Sequence, residues 1–490
     1  MTTLAEARRL VARPWGMVVG GEVIPSASGR ELDVWAPGTE EVIARIPEGC
    51  AADVDAAVAS AGTAAVGWRR TAPTERARLV RVLADAVAEE REELAAIDAI
   101  DNGSPLTLMR GDVDLAVQRL HYYAGLALEL RGESIPVDGG IDFTRMEPFG
   151  VVGRIVPFNH PLMFAASSLG APLVAGNTVV LKPSEHTSLS ALRIGEIAAR
   201  VLPAGVVNVV TGLGAEVGTR LTEHPDVPRV AFTGSVETGR LIQKQAANEV
   251  VKVVSLELGG KNPLVVFPDA DVRAAVAGAV RGMNVTWQGQ SCGSTTRALV
   301  HRSLLDDFKD GIRAAFDGFV VGDPFDPETD MGALVSRPHF ERVARFIAQG
   351  RSDGAARIVV GDGPVPDKGL FVRPTVLSFP HADHESPVLD SEIFGPVLAV
   401  VPFDTYDEAV AIANRLPLGL TASVWTTSLK TATRAVRDID AGYVWINHSS
   451  AHIPGAPFGG TKSSGVGREE DLSEIYSYAQ PKNVFIKMED

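Results

Sequence analysis

The stretch Gly289-Gln290-Ser291-Cys292-Gly293-Ser294 places one of only two cysteines of a 490-residue chain among small and polar neighbours. A buried cysteine packs as a small hydrophobe and is usually flanked by apolar residues. Glycine and serine flanks instead permit a tight turn and a close approach of backbone N–H groups to a ligand. A reactive thiol and a plain loop cysteine both fit this window. Upstream, Glu257 closes the apolar run "VKVVSLE" ahead of Leu258-Gly259-Gly260. A carboxylate there has the chemistry of a general base, or is a structural group satisfied by backbone donors. Asn159, in "PFNHP", offers an uncharged amide able to donate to an oxyanion, or a cap for the helix that Pro161 would open. In combination these three types describe addition of a thiolate to a carbonyl, support of the resulting oxyanion, and activation of water. Cys50, in "PEGCAAD", precedes a helical stretch and belongs to no such pattern.

Glycines mark a second chemistry. The β-rich run "RVAFTG" leads into "GSVETG", so that Gly234 and Gly239 open a helix with Ser235 between them. Free N–H groups and the positive helix end would meet a phosphate there. The spacing is not that of G-x-G-x-x-G, and a simple turn also explains it. A preceding unit, "TGLGAEVG", supplies Gly214 and Gly218 after another β run. In "LKPSEHT", Lys182 and Glu185 follow a strand, at the end where open α/β sheets bind ligands. An acidic side chain there accepts ribose hydroxyls and repels a 2′-phosphate, although taken alone the pair reads first as a solvated loop pair.

The elements that must position these residues fall into regions. Residues 51–131 carry apolar side chains at three- and four-residue spacing and read as helices. From residue 150 the pattern becomes β runs alternating with helical ones. "GVVGRIVPF" precedes one helix over "PLMFAASSLGAPLVAG", and "NTVVLKP", "GVVNVVTG", "RVAFTG" and "VKVVSLELGG" continue the series. Five β runs with helical connections predict an α/β fold with a doubly wound parallel sheet. A second βα-rich region runs from about Asn262. The segment 131–150 reads as an extended excursion, and the tail "NVFIK" as a strand that pairs either with another chain or within its own. Acidic residues outnumber basic ones, 61 to 46, with net charge −15. Such a surface repels nucleic acid. No apolar run is long enough to span a membrane, and the sparse cysteines suit a reducing cytoplasm.

The windows "PFNHP", "LKPSEHT", "FTGSVETG", "LELGGKNP", "GQSCGSTTR", "GLFVRPTV", "EIFGPV" and "PFGGTKSSGVGREE" follow in one order from 157 to 470. Together they resemble the aldehyde dehydrogenase superfamily over nearly the whole chain. The resemblance implies Cys292 as nucleophile, Glu257 as general base and Asn159 as oxyanion donor. It implies contacts to NAD, with NADP disfavoured, from Pro157, Lys182, Glu185, Gly214, Gly218, Phe232, Gly234, Ser235, Leu258, Glu392 and Phe394. It places His160, Ser167, Trp287, Ser291, Gly293 and Phe458 along the aldehyde tunnel, and it calls for no metal. Phe158, His160, Trp287 and Asp471 depart from the usual family pattern and leave the aldehyde open. Gly293 and Ser167 leave room for a bulky or aromatic one. The expected architecture is a Rossmann-type cofactor domain (1–130 and 151–257), an α/β catalytic domain (258–476) and an oligomerisation arm (131–150 and 477–490). The expected protein is a homodimer or homotetramer that oxidises an aldehyde to the free acid. The alternatives are a coenzyme A-acylating enzyme and a binding protein on the same fold.

Overall fold

Val151–Ile155, Thr178–Lys182, Val207–Val209, Arg229–Thr233 and Val253–Glu257 are five parallel strands at the centre of an eight-stranded sheet. The computed structural model containing them describes residues 2–488; residue 1 and the last two residues of the expected arm lie outside the described residues. Helices cover both faces, so most of these strands are buried along their whole length rather than alternating. Val151–Ile155 lies between Thr178–Lys182 on one side and Arg229–Thr233 on the other. The chain therefore winds outward in one direction and then returns to wind in the other. That reversal opens a crevice beyond the carboxyl ends of Ile155 and Thr233.

The 51–131 region is helical as expected, with Ala51–Trp68, Pro73–Glu89, Arg91–Asn102 and Leu106–Gly125. The single helix expected after Val151–Ile155 is instead two, Pro161–Ser167 and Gly170–Ala175. Pro172 accounts for the break: it has no N–H to give the carbonyl of Ser168, so it is accommodated only in the first turn of a new helix.

The second sheet has seven strands. Asn262–Val266, Thr295–His301, Thr375–Ser378, Val397–Phe403, Thr421–Trp425 and Tyr443–Ile446 run parallel, and Arg357–Val360 adds an antiparallel edge. Only residues 258–261 separate the last central strand of the first sheet from the first strand of the second. The chain then returns. Gly465–Val466 pairs antiparallel with Val253–Glu257, and Ile475 and Tyr478 pack in the core beneath the first sheet. The chain thus rejoins the first sheet at Gly465–Val466, a two-residue strand in "SSGVG" that follows no hydrophobic period.

The tail strand, Ala479–Lys487, pairs antiparallel with Gly140–Pro148 of its own chain, and Ser134–Ile135 flanks the far side. Of the two pairings open to "NVFIK", the structure has the intrachain one. Phe485, Ile486 and Ile141 remain exposed on this three-stranded arm. Among the described residues, no helix is long and apolar enough to cross a membrane.

Candidate active site

A cavity of about 560 Å³ occupies the crevice at the strand reversal. Cys292, Glu257 and Asn159, far apart in sequence, share its wall. Pro157, Lys182, Glu185, Gly214, Gly218, Phe232, Gly234, Ser235, Glu392 and Phe394 line it too.

Cys292 is carried on a strained loop just before Thr295–His301. Asn284, Gln288 and Gly289 all have positive φ, at 49°, 56° and 68°. Two of these are not glycine, and such conformations persist only where surrounding contacts enforce them. Here they do. Gln288 Oε1 accepts from Ser104 Oγ at 3.1 Å, and Gln290 Oε1 accepts from the Val335 N–H at 3.1 Å. Asn262 Nδ2 donates to the carbonyls of Cys292 and Ser294, and its Oδ1 accepts from the Thr421 N–H. Burial pushes the Cys292 thiol up to about 12, with the carboxylates of Glu392, Glu257 and Glu470 adding to the shift.

Both carboxylate oxygens of Glu257 are buried and receive no donor from the described residues, unlike most buried carboxylates. Burial holds this carboxyl well above the usual range; Glu469 adds to the rise and Arg468 opposes it. Asn159 does not cap the helix after it. The first free N–H there, that of Leu162, is taken by Asp98 Oδ2 at 2.9 Å. The Asn159 side chain makes no hydrogen bond to the described residues, and its Oδ1 is buried. Asn102 Nδ2 anchors the preceding peptide by donating to the Phe158 carbonyl at 2.7 Å.

At the other end of the cavity, Lys182 Nζ lies 3.5 Å from Glu185 Oε2 and donates to the Pro183 carbonyl. Burial lowers the Lys182 ammonium, and the Glu185 charge opposes it. On Glu185 burial acts upward, but Lys182, its own backbone N–H and His186 together outweigh it, and the carboxyl falls below its ordinary value. Ser235 caps the helix Val236–Ala246, accepting from the Thr238 N–H at 3.2 Å. Glu392 accepts from the Gly260 N–H at 3.0 Å, and burial raises its carboxyl to about 7. Phe394, at φ 60°, packs against Phe158 and His339. Leu258 is not in the cavity wall. Its side chain fills the space where a Cβ on Gly239 would lie, 2.6 Å from Cδ2.

The six residues expected along the aldehyde tunnel are also outside that wall. Phe164, on the helix after Asn159, lines the cavity beside Cys292 and leads towards them. His160 packs between Phe164 and Trp287, whose Nε1 is buried without a partner. Ser167 turns away, donating to the Met163 carbonyl at 2.6 Å. Ser291 is half-buried, and Gly293 faces His452. Phe458 is buried against His452 and Tyr443. Sequence reasoning missed Phe164, His339, Arg342, Arg119, His452 and Glu470. None carries a local motif, although "GREED" singles out the segment that holds Glu470. No group of three or more metal-ligating side chains occurs among the described residues.

The aldehyde dehydrogenase family profile matches residues 23–484. The chain belongs to the aldehyde dehydrogenase family. Among curated members of the family, a hydroxyisobutyraldehyde dehydrogenase of Mycolicibacterium austroafricanum is 41% identical over 100% of this chain and 97% of its own length. A phenylacetaldehyde dehydrogenase of Pseudomonas fluorescens is 39% identical over 96% of each. Among solved structures of the family, the NAD+ complex of an aldehyde dehydrogenase from Bacillus cereus superposes with a TM-score of 0.95 at 38% identity, covering 99% of both chains.

Proposed function

We propose that the protein oxidises an aldehyde to the free carboxylic acid with NAD as acceptor. The observation that carries this reading is the pair of unpartnered Glu257 oxygens in the same cavity wall as Cys292. A buried carboxylate without donors is costly unless its partner arrives with the substrate, and hydrolytic water is such a partner. Acyl transfer to coenzyme A needs no activated water, so this feature speaks for hydrolysis.

The cavity residues fit the dinucleotide. Lys182 and Glu185 would hold the adenosine ribose, Gly234 and Ser235 the pyrophosphate, and Glu392 and Phe394 the nicotinamide end. Pro157, Gly214, Gly218 and Phe232 complete the wall, with Leu258 supporting Gly239 from beneath. When bound, the dinucleotide supplies the hydride acceptor that makes the conversion a two-electron oxidation. Cys292 Sγ, as thiolate, adds to the aldehyde carbon, and the carbonyl oxygen becomes an oxyanion. The Asn159 amide and the Cys292 N–H donate to that oxygen. Loss of hydride leaves a thioester on Cys292. Glu257 takes a proton from water as it attacks the thioester, and the acid leaves as the thiol is restored. A carboxyl raised above its usual range is a stronger base for this task.

The open space at Gly293, where the nearest atom to an added Cβ is His452 Nε2 at 4.0 Å, supports a substrate with a bulky or aromatic body, in keeping with the relative named for phenylacetaldehyde. The exposed apolar residues of the arm support a homodimer or homotetramer. The charge and cysteine content support a cytoplasmic location. The test is NADH formation across an aldehyde panel without coenzyme A. Activity only with coenzyme A, or none with any aldehyde, would overturn the reading.

A further inference from the structure

Two imidazoles on the substrate side are each held through Nδ1 by a carboxylate. His160 Nδ1 lies 2.8 Å from Asp112 Oδ2, and His452 Nδ1 lies 3.2 Å from Glu470 Oε2. Neither Nε2 has a hydrogen-bond partner among the described residues. The His452 Nε2 is the closer to the chemistry. It stands 4.0 Å from the point a Cβ on Gly293 would occupy, one residue from the nucleophile. Glu470 is in turn fixed by Arg119 Nη2 at 2.6 Å, while Arg119 Nη1 meets the sulfur of Met163. Phe458, Tyr443 and Trp445 surround the His452 ring.

The charges narrow what the space between His452 and Gly293 accepts. Arg119 is already paired with Glu470, so an anionic substrate group finds no unpaired cation and meets Glu470 and Asp112. A cation finds Glu470 spent on Arg119. His452 is exposed, and a purely apolar chain would shield its imidazole edge from water without replacing that hydrogen bond. A neutral hydrogen-bonding group remains. A carboxylate accepts the Nδ1 proton, so Nε2 carries the lone pair and calls for a donor. A hydroxyl supplies one; an ether or a second carbonyl does not.

We propose that His452, oriented by Glu470, selects neutral aldehydes bearing a hydroxyl within the first few carbons of the carbonyl. The proposal rests on the aldehyde oxidation proposed above. It is tested with 3-hydroxypropanal, its near-isosteres butanal and 3-methoxypropanal, and the acidic succinic semialdehyde, on the full-length enzyme and on His452→Phe and His452→Gln. The expected kcat/KM for 3-hydroxypropanal exceeds that for butanal by about tenfold or more, with the methyl ether ranking beside butanal. In His452→Phe this ratio falls about tenfold, and His452→Gln, which keeps a polar acceptor, restores part of it. No preference in the wild type, or an unchanged ratio in His452→Phe, would overturn the proposal, as would a best rate with succinic semialdehyde, which would make Arg119 an anion site. Failure of every aldehyde to yield NADH would instead remove the underlying function.

Discussion

Asn262 holds the nucleophile's own peptide: its Nδ2 donates to the Cys292 carbonyl at 2.7 Å and to the Ser294 carbonyl at 2.9 Å. Its Oδ1 accepts from the Thr421 N–H at 3.0 Å, so the second sheet grips the loop through one amide. Asn262→Ala leaves these backbone groups unpaired, at about 1–3 kcal/mol each. We expect a lower melting temperature and at least a tenfold fall in kcat. Asn262→Asp should be worse, because a carboxylate would face two carbonyl oxygens. Wild-type kcat in both variants would show that the loop is held without this amide.

The thiol raised to about 12 sets a pH signature. The thiolate is the alkylating form, and its fraction grows as pH rises towards the pKa. Iodoacetamide inactivation of the free enzyme should therefore accelerate about tenfold per pH unit from about pH 7 to 10, with no plateau. Loss of activity should track one label on Cys292. A plateau below about pH 8, or labelling of Cys50 with activity retained, would contradict this.

Glu257→Gln should separate the two halves of the reaction. The amide cannot accept the proton of water, so a burst of NADH approaching one per site should precede very slow turnover. Mass spectrometry should find the acyl group on Cys292. In the wild type, the acid limb of the hydrolysis rate should lie above the ordinary carboxylate range, since the group must lose its proton to act. That limb should vanish in the variant. Wild-type turnover in Glu257→Gln would exclude this residue from the mechanism.

Glu185 should favour NAD over NADP by at least about tenfold, roughly 1.4 kcal/mol. Its carboxyl is held ionised beside Lys182, and the ion pair leaves a negative oxygen on the cavity wall. Glu185→Gln should narrow the preference. Equal kcat/KM for both dinucleotides in the wild type would place the Glu185 side chain elsewhere.

What the sequence reveals tracks how local the cause is. The helical character of residues 51–131 is legible because apolar residues recur there at three- and four-residue spacing, whereas the break at Glu90 between Pro73–Glu89 and Arg91–Asn102 is not. Cys292 stands out in the sequence because its glycine and serine neighbours lie within a few residues of it. Gly465–Val466 is not legible, since two residues in a glycine-rich loop gain their strand character only by lying beside Leu256 and Glu257. The Glu470–His452 pair is likewise silent. Its meaning depends on Arg119, 351 positions from Glu470, and on Gly293 across another sheet. Leu258 shows the converse: a motif position whose side chain serves packing under Gly239 rather than the cavity.

At Gly289, a Cβ would lie 2.3 Å from the carbonyl carbon of Gly395. Backbone touches backbone there, with no side chain to absorb slack. The loop bearing Cys292 and the loop bearing Glu392 and Phe394 are thus meshed like two gear teeth. A shift of either loop must be passed to the other, so Glu392 and Phe394 keep common time with Cys292.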